Sequence, residues 1–116
     1  MSSYAQSHND DINVLLNRAD SAKNVKNYQD ALKIYVSVGE MTKAMRNDAE
    51  LRTYVRVQTN AAECCYNLDC YEEAWGLYDG LMNLPLTESE KEEVTSGYSY
   101  SGLFYGVILM NKTNKQ

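Results

Sequence analysis

The residues best suited to chemistry are few. Three are cysteines, Cys64, Cys65 and Cys70; one is the sole histidine, His8; and four are carboxylates bunched at Glu88, Glu90, Glu92 and Glu93. A zinc site needs paired ligands at defined spacing, usually four of them. Adjacent Cys64 and Cys65 do not provide that spacing, and the histidine stands far away near the N-terminus. A cysteine or serine nucleophile needs a base within hydrogen-bond reach, and His8 lies outside the helical body expected from the pattern below. The sequence has no glycine-rich phosphate loop. The cysteines therefore read as small packing residues in a reducing compartment. The carboxylates read as the acidic first turn of a helix, where the dipole favours negative charge. No catalytic, cofactor-binding or metal-ligating residue is assigned, and the expectation is a non-enzyme. A small enzyme with an unrecognised site is the remote alternative.

Charge and composition narrow the partners. The net charge is −5, which disfavours nucleic acid, because neutralising phosphates takes clustered Lys and Arg. The densest basic stretch, Lys43 to Arg46, holds two charges and reads as a solvated helix face. The N-terminal MSSYAQSHNDD lacks the basic and apolar regions of a signal peptide. The apolar run Leu103 to Met110 is too short to span a bilayer. The expectation is a cytoplasmic protein without membrane insertion. Its partner would be a protein or peptide, or a second copy of itself.

Hydrophobic spacing organises the chain into one helical domain over residues 10–111, between tails expected to be disordered at 1–9 and 112–116. Asn9 and Asp10 are candidate caps for a first helix carrying Ile12, Leu15, Leu16, Ala19, Ala22 and Val25. A second helix starts at Tyr28 and, tolerating Gly39, is expected to run to about Arg46, with Met41 and Met45 on its apolar face. Asn47-Asp48 caps a third helix that ends at Asn67-Leu68-Asp69. A fourth carries Tyr71, Ala74, Trp75, Tyr78 and Leu81 and stops before Pro85. Thr87-Glu88-Ser89-Glu90 has the form of a capping box opening a fifth helix to about Asn111.

Helices one and two repeat themselves. A shift of 43 positions lays Ala19 on Ala62, Ala22 on Cys65, Val25 on Leu68, Tyr28 on Tyr71, Ala31 on Ala74 and Tyr35 on Tyr78. Small residues let paired helices approach closely, and an aromatic one turn beyond an alanine shares its face. With its two blocks Tyr28-Gln29-Asp30-Ala31…Tyr35 and Tyr71-Glu72-Glu73-Ala74…Tyr78, the chain resembles the tetratricopeptide repeat family. Ala19 and Ala62 stand at that family's small-residue position, and Pro85 lies one residue from its proline. Leu15 and Gln58 replace the leading tryptophan, and the first copy lacks the proline. The long period is similar to the long-helix variants in kinesin light chain and the soluble NSF attachment proteins. Leu15 to Glu40 also resembles the start of a microtubule-interacting and trafficking domain, but the second copy argues against that three-helix bundle.

The resemblance implies an all-α fold with two antiparallel helix-turn-helix repeats and a capping helix, five helices in a right-handed solenoid. It also implies an interaction module or adaptor that holds a peptide or helix of a partner protein in a concave groove. Matching repeat positions puts Asn13, Asn17, Asp20 and Asn24 of helix one in that groove, with Arg56, Thr59, Asn60, Glu63 and Asn67 of helix three. Of the family's carboxylate-gripping positions only Asn60 is kept; Leu16 and Asp20 occupy two others. Helix five has no following partner. Val94, Tyr98, Ser101, Tyr105 and Ile108 trace one stripe along it, and one expectation is that the helix packs on helices three and four and exposes little. Tyr100, Leu103, Phe104, Val107 and Met110 would offer an oligomer surface, with Gly97, Ser99, Gly102 and Gly106 allowing close approach. Self-assembly through that helix is the alternative function.

Overall fold

A computed structural model describes the backbone of residues 2–114 and the side chains of residues 10–112. It contains five helices and, among the described residues, no strand: α1 (Ser2–Asn24), α2 (Tyr28–Thr42), α3 (Asp48–Asn67), α4 (Tyr71–Leu81) and α5 (Glu88–Asn114). Each helix packs on the next in sequence, and α5 also touches α3.

Local chemistry sets most of the boundaries. Asn27 caps α2 and Asn47 caps α3, each side-chain oxygen accepting from the backbone N–H three residues on. Thr87 and Glu90 form a reciprocal capping box at the start of α5: Glu90 N–H donates to Thr87 Oγ1 at 3.2 Å and Thr87 N–H to Glu90 Oε1 at 2.9 Å. The hairpin turns are built alike. Lys26 and Asp69 both adopt left-handed backbone, φ 64° and 65°. In each turn the next residue donates back five positions, Asn27 N to Ala22 O and Cys70 N to Cys65 O, both at 2.8 Å. This is the Schellman arrangement.

Four boundaries differ from the sequence reading. Asn9-Asp10 is not a helix start, because the backbone is already helical from Ser2. α2 ends at Thr42, not near Arg46: Met45 takes left-handed backbone (φ 47°) and Asn47 is extended, so the chain must leave the helix to start α3. Val25 falls beyond α1 and is 76% exposed, so it adds nothing to the core. α5 runs on to Asn114; Lys115 and Gln116 lie outside the described residues.

The core is double. One cluster joins Ile12, Leu16 and Ala19 of α1, Ala31, Tyr35 and Val38 of α2, and Val57, Ala61 and Cys64 of α3. The other joins Val55 and Ala62 of α3, Tyr78 and Leu81 of α4, and Val94 of α5. Thus α3 is buried on two sides, and Leu77 packs against both clusters. Buried positions recur at the 43-residue spacing: Ile12 and Val55, Leu16 and Thr59, Ala19 and Ala62, Ala31 and Ala74, Tyr35 and Tyr78, Val38 and Leu81.

Helix α5 is fastened by aromatic rings. Trp75 lies 5.5 Å from Tyr98 and 6.3 Å from Tyr105, and Phe104 lies 5.1 Å from Tyr71 and 5.8 Å from Tyr66. The ring of Tyr78 fills the space beside Gly97, where a Cβ would overlap it, and Gly102 sits against Trp75. These two glycines therefore serve contacts with α4 inside the chain, and do not form an outer surface as the sequence reading had it. Gly97→Ala is expected to lower stability by about 1–3 kcal/mol through overpacking. Gly76→Ala, in α4 with nothing within 4 Å of its Cβ, is expected to raise it by up to about 1 kcal/mol. Urea unfolding of both variants checks the contrast.

Candidate functional site

The proposed groove residues of α1 and α3 do come together, but largely to bond one another. Asp20 accepts from the Tyr35 hydroxyl at 2.5 Å and from Arg56 Nη2 at 2.6 Å. Lys23 Nζ donates to Asn60 Oδ1 at 2.7 Å and pairs with Glu63. The amides of Asn60 and Asn67 donate to their own helix, to Arg56 O at 2.9 Å and Glu63 O at 2.8 Å. Thr59 does not belong to the groove: it is buried, its hydroxyl donating to Val55 O at 2.7 Å. Asn13, Asn17 and Asn24 remain exposed. Asn13 lines an open cleft of about 380 Å³ with Leu16, Thr42, Asn47, Glu50 and Arg56.

Two participants were missed at the sequence level. Lys23 is the hub that ties α1 to α3, yet it has no counterpart in the second copy, where Tyr66 stands 43 residues on. Arg52 joins α3 to the start of α5, pairing with Glu90 and donating to Pro85 O at 2.6 Å. For Arg52 the only advance signal was its place just after Asp48 and Glu50; Lys23 carried none. With Lys23, Arg52 and Arg56 engaged, the basic side chains of this face are committed to internal pairs. Two shallow depressions lie farther along, of about 210 Å³ beside Glu90 and Glu93 and about 310 Å³ beside Glu63, Tyr66, Tyr78 and Tyr100.

No family model, curated protein or solved structure matches the chain. The functional reading rests on the chain's own surfaces.

Helix α5 offers the second surface. Along the stripe from Val94 to Ile108, Val94 and Ser101 are buried and Tyr98 and Tyr105 half-buried. Ile108 is exposed, edging an open depression with Tyr71, Glu72 and Tyr105 at the start of α4. Phe104 is held against Tyr66 and Tyr71, so it is an internal anchor with one side open. Outward stand Tyr100 (61% exposed), Leu103 (62%), Val107 (45%) and Met110 (65%). From Val94 to Asn111 no residue is charged.

The cysteines divide by environment. All three are free; Cys64 and Cys65 are buried and Cys70 is exposed. Burial pushes both buried thiols up to about 11. Among the described residues no group of three His, Cys, Asp or Glu is placed to hold a metal ion. His8 lies outside the residues whose side chains are described. The Tyr35 hydroxyl titrates well above the ordinary tyrosine range, first through burial and then through its bond to Asp20.

Two outcomes follow from these environments. Each buried thiol holds its proton more tightly folded than unfolded, where it titrates near 9.0. Its stabilising contribution is therefore full below pH 9 and lost as pH rises towards about 11. Thermal midpoints are expected to fall across that window. At pH 8 one thiol of the three should react quickly with a disulfide reagent; rapid reaction of all three would contradict the buried pair. Tyr35→Phe should cost about 0.5–1.5 kcal/mol for the lost hydrogen bond, and Tyr35→Ala about 3–5 kcal/mol for the emptied core. Urea midpoints separate the two.

Proposed function

We propose that this chain is a protein-interaction module of the tetratricopeptide-like, long-helix kind, and that it meets its partner through the outward face of α5. Its two hairpins and fifth helix would stack as a right-handed solenoid in a reducing compartment such as the cytoplasm. Support for the repeat comes from the buried positions and the two Schellman turns, which recur 43 residues apart. An elongated body also fits: the radius of gyration is 15.7 Å, against about 13 Å for a compact domain near this length.

The observation that carries the interaction reading is the exposed stripe Tyr100, Leu103, Val107 and Met110. Large contiguous apolar patches on a folded surface mark contacts with other molecules. No helix of the described residues is long and apolar enough to cross a membrane, so the stripe is assigned to a protein partner. A second reading, a peptide seated along α1 and α3, is favoured by the open cleft beside Asn13. It ranks below the first because Asp20, Asn60 and Glu63 already satisfy one another's neighbours.

A photo-crosslinking amino acid placed at Leu103, with the exposed Val36 on α2 as a control, tests the proposal in living cells. A covalent protein adduct of defined mass is expected from position 103 and none from 36. The adduct should vanish when Val107→Glu and Met110→Glu are added. Absence of any adduct at 103 would remove the α5 reading.

A further inference from the structure

We infer that a second copy of this chain covers the outward face of α5, the two helices lying antiparallel about a two-fold axis near Tyr105. This rests on the reading of α5 as an interaction surface and names its occupant. Tyr100, Leu103, Val107 and Met110 are spaced by three, four and three residues, the spacing of a helix-to-helix seam. In an antiparallel pair Tyr100 meets Met110 of the other copy, and Leu103 meets Val107. A ring is matched with a flexible thioether and a γ-branched with a β-branched chain. Each residue sees its counterpart's partner, as an isologous interface requires.

Four observations select a second copy. The seam and its flanks carry no charge from Val94 to Asn111, so self-association buries no charge and opposes no like charges. Gly106 lies on the same face, midway along the seam, with nothing of its own chain within 4 Å of where a Cβ would be. The glycine leaves room for a second helix to approach closely, as Gly76 and Gly80 leave room on α4. The seam with Phe104 exposes on the order of 500 Å² per chain, so two copies together reach about the 1,000 Å² at which specific interfaces begin. Finally, the seam is bounded on its N-terminal side by Glu92 and Glu93. Glu93 continues the seam's spacing. A parallel pair would set it against its own copy, whereas the antiparallel pair carries it past the other seam's end.

Sedimentation equilibrium of the full chain tests this. The expected mass at micromolar concentration is twice the 13.2 kDa of the chain. Leu103→Glu with Val107→Glu replaces two side chains that the single chain leaves exposed, so helical content by circular dichroism should hold while dimerisation weakens at least about 30-fold. Val36→Glu should leave the dimer intact. In a Cys70→Ser background, a mixture of Leu103→Cys and Val107→Cys chains should form disulfide-linked pairs faster than either variant alone. Faster linking of each variant with itself overturns the antiparallel arrangement. A monomer at all concentrations, or a dimer indifferent to the double substitution, overturns the inference. If the in-cell adduct at position 103 then contains a different protein, the interaction reading survives and self-pairing does not; if there is no adduct, both fall.

Discussion

The structure depends on α3 being buried from two sides. Val57, Ala61 and Cys64 recur at four and three residues and face α1 and α2. Val55 and Ala62, one full seven-residue step apart, face α4 and α5. A helix apolar on two faces has no stable place at a surface. It forces one hairpin onto each side and leaves only a narrow polar edge, where Arg52, Arg56, Asn60 and Glu63 stand. Small residues at Ala61, Ala62, Cys64 and Cys65 let neighbours close in from both directions. The burial that raises the thiols of Cys64 and Cys65 is thus the same burial that joins the two cores.

The charged edge follows from that geometry. α1 and α3 are separated by α2's packing, so short side chains cannot bridge them, and long ones do: Lys23 to Glu63 and Arg56 to Asp20. Such half-exposed pairs contribute little energy each, typically about 0–1 kcal/mol. Their effect lies in register. Asp20 is fixed by both Tyr35, whose ring is part of the first core, and Arg56 of the next hairpin. One carboxylate therefore links the packing inside a hairpin to the placement of its neighbour. An incoming peptide would have to compete with these bonds, which is why a face rich in asparagine and charge is less available than its composition suggests.

What was legible in the sequence was local. Helix identities, the Asn47 cap and the Thr87–Glu90 box are set by residues within a few positions of one another, and the small and aromatic periodicity marked the buried faces correctly. What was not legible depended on distant partners. Thr59 looked like a groove residue because its number matched, yet it takes the buried place that Leu16 holds in the first hairpin. Lys23 had no visible role until α3 came alongside. Gly97 and Gly102 looked like an outer small-residue stripe, but the rings of Tyr78 and Trp75, from another helix, occupy that space. The end of α2 depended on Met45 adopting left-handed backbone, for which a methionine gives no signal.

Helix α5 repeats the logic of α3 with one side unanswered. Val94, Tyr98 and Ser101 stand 37 residues after Val57, Ala61 and Cys64, and close the second hairpin as those close the first. On α3 the opposite face is covered by α4 and α5. On α5 the opposite face is Tyr100, Leu103, Val107 and Met110, and it lies open. A helix needing only to cap the second hairpin would carry Lys and Glu there, since solvated charges disturb no packing and suppress association. This helix instead carries no charge over the whole stretch from Val94 to Asn111, although the preceding turn is dense with glutamate. The change from charged to uncharged comes within two turns of the start of the exposed seam at Tyr100. Internal packing alone would have asked for apolar residues on only one side of α5, and the proposed contact rests on that excess.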